Sequence, residues 1–386
     1  MNIFYFSGTK LPSQNAQSIH SMKMAQAFSR AGHDITLFAK GMNNAASDDI
    51  FSIYNTEKIF KLYLSSHLNM PFISDAKRLL TFAGKIARLG KPDLVYGHDP
   101  LELALLATRN TPIVFEAHNI PSLSSHCWAF SKLLKQGNLR AIVVVSDILK
   151  QEFLKKYSEI EPEDIFVAHD GADLIRHIVS GDNDTNILKG RRDALNIGYT
   201  GSLAPGKGIA LITRIASIRP EYDFHIIGGK QKQVQRLETA NTLKNLYFYG
   251  YRDHAEMPSY LDAFDITVAP YQHRALIKTG HNMSRWISPM KIFEYMAAQK
   301  PIICSDLPTI HEILEHEHNA LLLPASSEHK WGEAIDMIKE NPDEGARLAR
   351  NAYNNLKEKY TWDKRAQAIT ELCFYKQQAP RFSKAS

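Results

Sequence analysis

The chain has 386 residues, 44% of them hydrophobic and 23% charged, a globular composition with length for two or three domains. No apolar run reaches the roughly 18 residues of a transmembrane helix, and a net charge of +5 is too small to argue for nucleic acid but suits phosphate-rich ligands or an anionic surface. Cys127, Cys304 and Cys373 are too scattered for a disulfide framework or a cysteine metal site, so a reducing, cytoplasmic setting is expected.

Residues 1–8 lack a basic start and carry too short an apolar stretch for a signal peptide, and they read as a first strand at 3–6. A polar loop at 7–17 is expected next, then a helix in which Ile19, Met22, Ala25 and Phe28 recur until Ala31-Gly32 stops it. Further strands are expected at 34–38, 93–96, 113–116, 141–145 and 165–168. Short apolar strands alternating with helical stretches predict a parallel sheet with crossover helices. At 75–90, Leu79, Phe82, Ile86 and Leu89 share a face, with Lys77, Arg78, Lys85 and Arg88 alongside. Such a helix either packs on its own domain or lies on an anionic membrane.

Around 180–192 the composition turns polar and cannot join a core, which marks a linker. The pattern then restarts: a strand at 196–199, a glycine-bearing loop at 201–208, a helix at 209–218, and strands at 223–227, 246–249, 266–269, 301–305 and 320–323. The expected fold class is α/β, with two Rossmann-like domains facing across a cleft. Their bounds are 1–180 for the first domain, 181–195 for the linker and 196–360 for the second. Residues 361–386 are expected to form a helix and tail crossing back to the first domain.

Two stretches carry chemistry. Ser288 is a good N-cap and Pro289 suits the first helical position, so a helix should start there and offer free N–H groups and a positive dipole end to a diphosphate. Lys291 and Glu294 then share a face, either as a surface ion pair or as a phosphate cation and a hydroxyl-binding carboxylate. The loop Gly201-Ser202-Leu203-Ala204-Pro205-Gly206-Lys207-Gly208 runs from a strand into a helix, and is either a tight turn or a phosphate cradle. It lacks the spacing of a Walker A motif or a dinucleotide fingerprint. No Asp-x-Asp triplet ends a strand, and no His/Asp cluster has metal spacing along the chain, so no metal is expected.

These two segments, in this order, resemble glycosyltransferase family 4, whose members have the GT-B fold and retain anomeric configuration. Weaker signatures extend the resemblance: Ala31-Gly32-His33-Asp34, Val144-Val145-Ser146, His169-Asp170-Gly171, Phe248-Tyr249-Gly250-Tyr251, the run 260–271 ending Ala269-Pro270-Tyr271, Ser305-Asp306-Leu307-Pro308, and Tyr360-Thr361-Trp362-Asp363. The resemblance implies that Lys207 contacts donor phosphate and that Glu294 binds the ribose hydroxyls. The backbone of Ser288, Pro289, Met290, Lys291 and Ile292 would lie near diphosphate and sugar, with Gly201 and Ser202 beside them and Tyr251 and Arg252 contributing to specificity.

Two family side chains are absent. Ser202 stands where an arginine is common, and Trp286 where the first of two glutamates would be; the basic loop 274–285, with Lys278, His281 and Arg285, is the candidate replacement. In the first half, His118 matches the family histidine near the reacting sugar. His98 and Asp99 sit at a strand end where ligands of open sheets gather, and the loop bearing Gly8 and Asn15 is expected to face donor or acceptor.

The function implied is transfer of a sugar from a UDP- or GDP-sugar, used as co-substrate with no cofactor, to a glycan, lipid-linked or small-molecule acceptor in surface-glycan biosynthesis. The enzyme would be cytoplasmic, with peripheral contact at the inner face of the membrane. A catalytically silent nucleotide-sugar-binding protein and a nucleotide-sugar epimerase are the alternatives.

Overall fold

A computed structural model describes residues 1–41, 47–65, 71–107, 110–175, 187–272 and 289–376. The chain divides into two compact units, Met1–His169 with Trp362–Ser386, and Asp170–Thr361.

The first unit is built on a seven-stranded sheet of β1 (Asn2–Leu11), β2 (Asp34–Gly41), β3 (Lys61–Ser65), β4 (Leu94–Gly97), β5 (Ile113–Ala117), β6 (Leu139–Val144) and β7 (Ile165–Val167). Every pairing is parallel and the order is β3-β2-β1-β4-β5-β6-β7. Central strands such as Ile142, Val143 and Val144 are buried, as a parallel sheet covered on both faces requires. β1 is longer than its apolar run. After a register shift between Phe6 and Lys10, residues Lys10 and Leu11 pair with Lys40 and Gly41. Ser7 and Thr9, read above as loop, are therefore buried strand positions.

The second unit repeats the design with β8 (Asn196–Thr200), β9 (Asp223–Ile227), β10 (Leu246–Gly250), β11 (Ile266–Ala269), β12 (Ile302–Ser305) and β13 (Leu321–Leu323), in the order β10-β9-β8-β11-β12-β13. In both sheets the strand order reverses beside the first strand, at β1/β4 and β8/β11. In open α/β sheets this switch point is where the loops after the strands part and ligands bind.

Compactness puts the change of unit at His169/Asp170, before the polar stretch 181–195. The reason is local. Ala172 bridges to Thr361, and Ile175, Ile187 and Leu188 pack on the second core. Arg191 is pinned by the buried Asp223 carboxylate at 2.7 Å. The last helix, Trp362–Lys376, belongs to the first unit, burying Trp362, Ala366, Ile369 and Cys373 there.

Candidate functional site

In the second unit, β8 runs into the glycine loop at the switch point. Gly201 has φ +128° and Gly208 has φ +83°, both in the region that favours glycine. Gly208 also lies against the Pro270 carbonyl after β11, leaving no room for a Cβ. Gln272 N–H donates to the Gly206 carbonyl at 2.9 Å, tying the loop to the segment after β11. The Tyr295 hydroxyl accepts from the Thr200 amide at 2.9 Å, joining the end of β8 to the helix Met290–Ala297.

Two lysines meet here. Lys207 Nζ lies over the Tyr271 ring at 4.9 Å, and Lys291 Nζ lies over the Tyr199 ring at 3.6 Å and the Tyr271 ring at 5.4 Å. A Cβ on Gly201 would stand 2.9 Å from Lys291 Nζ, so glycine keeps that ammonium's surroundings open. Lys291 is 9% exposed, and its Nζ makes no hydrogen bond among the described residues. Burial, and then the charge of Lys207, hold Lys291 well below the usual lysine range; burial also lowers Lys207. Two crowded ammonium groups supported by ring faces form a place for a multiply charged anion.

Glu294, one turn on, faces His254 at 3.6 Å, so the surface ion pair with Lys291 is not what forms. The helix begins one residue later than its sequence suggests: Pro289 is the N-cap in extended conformation and Met290 the first helical residue. Ile292 has a fully buried side chain, and its amide donates to the Pro289 carbonyl at 2.9 Å. Ser202 is exposed. Arg252 is turned onto its own strand end, donating to the Tyr260 hydroxyl at 2.9 Å and the Tyr251 carbonyl at 3.1 Å. Ser288, Trp286 and the basic loop 274–285 lie outside the described residues.

In the first unit the switch point holds a different cluster. Glu116, on β5 and fully buried, is surrounded by His20, His98, His118 and Arg365. Its Oε1 accepts from His118 Nε2 at 3.0 Å and from Arg365 Nη2 at 2.7 Å. Burial pushes the Glu116 carboxyl up, but Arg365, His20 and the imidazole hydrogen bonds outweigh it and hold it well below the usual range.

The ligand atoms of His20, His98, Glu116 and His118 lie within 4.8 Å of one another, a grouping invisible in sequence spacing. Glu116 Oε1 is already engaged by a guanidinium, so the cluster is arranged around a carboxylate. His98 is interior: Gln17 donates to its Nδ1 at 3.3 Å, and its Nε2 meets the Tyr5 hydroxyl at 3.0 Å. Burial first, then His118 and His20, hold it well below the usual histidine range. No ring nitrogen of His98 remains for an acceptor. Asp99, 8% exposed, caps the helix Pro100–Leu106 by accepting from the Leu101 amide at 2.9 Å. Gly8 abuts Asp99, and Asn15 is the N-cap of Ala16–Arg30 without a side-chain cap bond.

Residues 17–176 match the sequence pattern described as Glycosyltransferase Family 4, and residues 194–341 that described as Glycosyl transferases group 1. The chain belongs to glycosyltransferase family 4. Its two parallel-sheet units are those of GT-B proteins. HepE of Anabaena, solved with UDP-glucose, superposes with a TM-score of 0.71 at 16% identity, over 97% of this chain and 100% of that one. Sucrose-phosphate synthase of Thermosynechococcus elongatus gives 0.73 at 16% identity, over 98% and 100%. The putative teichuronic acid biosynthesis glycosyltransferase TuaH of Bacillus subtilis is 25% identical over 205 residues, 48% of this chain and 49% of that protein. The chain thus matches about half the length of that curated relative.

Sequence reasoning reached Lys207, Lys291 and Glu294 but missed Tyr199, Tyr271 and His254, which surround them. It also missed Glu116, His20 and Arg365. A glutamate inside the apolar strand Ile113–Ala117 was the available signal, because a buried charge needs partners.

Proposed function

We propose that this chain is a retaining, metal-independent glycosyltransferase that moves a hexose from a UDP- or GDP-sugar to a glycan or lipid-linked acceptor in surface-glycan assembly. The observation that carries the reading is the buried Lys291 ammonium, without a hydrogen bond among the described residues, beside Lys207 at the switch point of the second sheet. The donor diphosphate lies between these two cations and the start of the helix Met290–Ala297, and Glu294 takes ribose hydroxyls. Negative charge grows on the diphosphate as the glycosidic bond breaks, and cations already in place stabilise it without reorganisation. The acceptor attacks the face the nucleotide leaves, and a departing phosphate oxygen takes its proton. No side-chain base is required on this route. The glycan class rests on likeness to relatives such as TuaH, described for teichuronic acid biosynthesis.

For membrane contact the helix Pro71–Leu89 offers less than its sequence suggests. Phe82 faces inward, and Arg78 is buried against Glu102 at 2.7 Å, which leaves Lys77, Leu80 and Arg88 outward. No helix among the described residues is long and apolar enough to cross a membrane.

The test is incubation with UDP- and GDP-sugars, followed by chromatography of nucleotide and sugar. Slow release of nucleoside diphosphate, unchanged by EDTA, is expected. Binding without turnover across an acceptor panel identifies a silent binder, and interconversion of the sugar without release identifies an epimerase.

A further inference from the structure

The catalytic reading leaves a buried assembly in the first unit unused. Glu116 is fully buried, and Arg365, from the last helix, meets its Oε1 at 2.7 Å while donating to the carbonyls of Ala168 and His169 at 3.1 and 2.9 Å. The guanidinium is thus fixed from three sides, and it fixes the carboxylate. His118 lies just past the end of β5, its ring 22% exposed, with Nε2 3.0 Å from the same oxygen. The His20 ring packs edge-on to His118 at 4.7 Å, with Trp362 on His20 at 5.2 Å. Nδ1 of His118 makes no hydrogen bond among the described residues.

We infer that Glu116, held by Arg365, is the positioning residue of His118: it keeps the proton on Nε2 and presents Nδ1 as a hydrogen-bond acceptor to a hydroxyl of the sugar substrates. A carboxylate can only accept, so the Nε2 facing it must carry hydrogen, and in a neutral ring the lone pair then sits on Nδ1. Arg365 balances the carboxylate charge, so Glu116 acts on His118 through hydrogen-bond geometry. His20 and Trp362 fix the ring plane by packing. The inference that Nδ1 meets substrate rests on the transferase reading; the tautomer does not.

The experiment is histidine-selective 15N labelling with long-range 1H–15N correlation, the His118 signals being assigned by their loss in His118→Gln. Wild-type protein is expected to show the Nε2–H tautomer. In Glu116→Leu, which removes the acceptor and leaves the Arg365 guanidinium as a donor on that side of the ring, the Nδ1–H form is expected to appear. Wild-type protein in the Nδ1–H form overturns the inference without any variant having to fold, and so does a tautomer unmoved in folded Glu116→Leu. One equivalent of ZnCl2 is expected to leave these signals in place; stoichiometric coordination by the ring contradicts the assignment.

Release of nucleoside diphosphate from UDP-glucose or GDP-mannose, whichever the wild type hydrolyses, is expected to fall about tenfold or more in Glu116→Leu with KM little changed. A shifted tautomer with full turnover removes the catalytic role of Nδ1. Failure of the donor site itself is read separately, as undiminished nucleotide binding in Lys207→Ala.

Discussion

Lys291 Nζ makes no hydrogen bond among the described residues, and it sits where an ammonium is unfavourable, buried and beside Lys207, with ring faces against it. Such a group is retained at the expense of stability, which separates a binding role from a structural one. Lys291→Met keeps the apolar stem against Tyr199 and removes the charge. Thermal unfolding without ligand is expected to show this variant more stable, by about 1–2 kcal/mol, while its affinity for UDP falls at least tenfold. Loss of stability in Lys291→Met counts against an anion site.

The lowered titration of both lysines has a second consequence. An anion favours their charged forms, so UDP binding takes up protons, and affinity is expected to weaken as pH rises from the depressed range towards the ordinary one. Calorimetry in buffers of different ionisation enthalpy measures the uptake; release of protons contradicts the assignment. Gly208→Ala is a harsher test of the same loop. Its φ of +83° and the Pro270 carbonyl leave no room for a methyl, and a loss of about 2–4 kcal/mol is expected in denaturant unfolding.

At the scale of elements, the strands were legible because parallel strands covered on both faces read as unbroken apolar runs between helices. β3 was not, since Lys61–Ser65 is a half-exposed edge strand with only three apolar residues. Ser7 and Thr9 were missed because buried polar strand residues leave no periodic trace. The same limit governed the sites. A lysine after a glycine loop and a capped helix are local patterns. The Tyr199 and Tyr271 faces under Lys291, and Arg365 on Glu116, join residues scores of positions apart and require the folded chain.

His225 on β9 shows how an element carries pH sensitivity. Its Nδ1 meets the Tyr249 hydroxyl and its Nε2 the Asn196 carboxamide, both at 3.0 Å. Burial lowers it from 6.5 to about 4, against a raising effect of Asp223. The unfolded chain therefore binds a proton between pH 6.5 and 4 that the folded chain refuses, and stability falls with acidification across that window, by up to about 3 kcal/mol. His225→Gln is expected to flatten the dependence of Tm on pH there; an unchanged slope assigns it to other groups.

At the scale of the whole molecule, the last helix returns to the first unit rather than extending the second. It buries Trp362, Ala366, Ile369 and Cys373 and delivers Arg365 to Glu116, worth on the order of 5 kcal/mol from apolar burial alone. Ending the chain at Thr361 is expected to lower hydrogen-exchange protection across β1, β5 and β6 while leaving β8, β9 and β11 protected. Equal loss in both sheets contradicts the division into units. The family assignment likewise covers both units, and the second is the one we propose to bind the nucleotide.

That proposal is tested most directly by calorimetric titration of UDP and GDP into the wild-type protein, Lys207→Ala and Glu294→Ala. One site per wild-type chain for one of the nucleotides is expected, lost or weakened at least tenfold in Lys207→Ala and weakened in Glu294→Ala. Undiminished binding in both variants contradicts a donor site built on Lys207 and the helix Met290–Ala297.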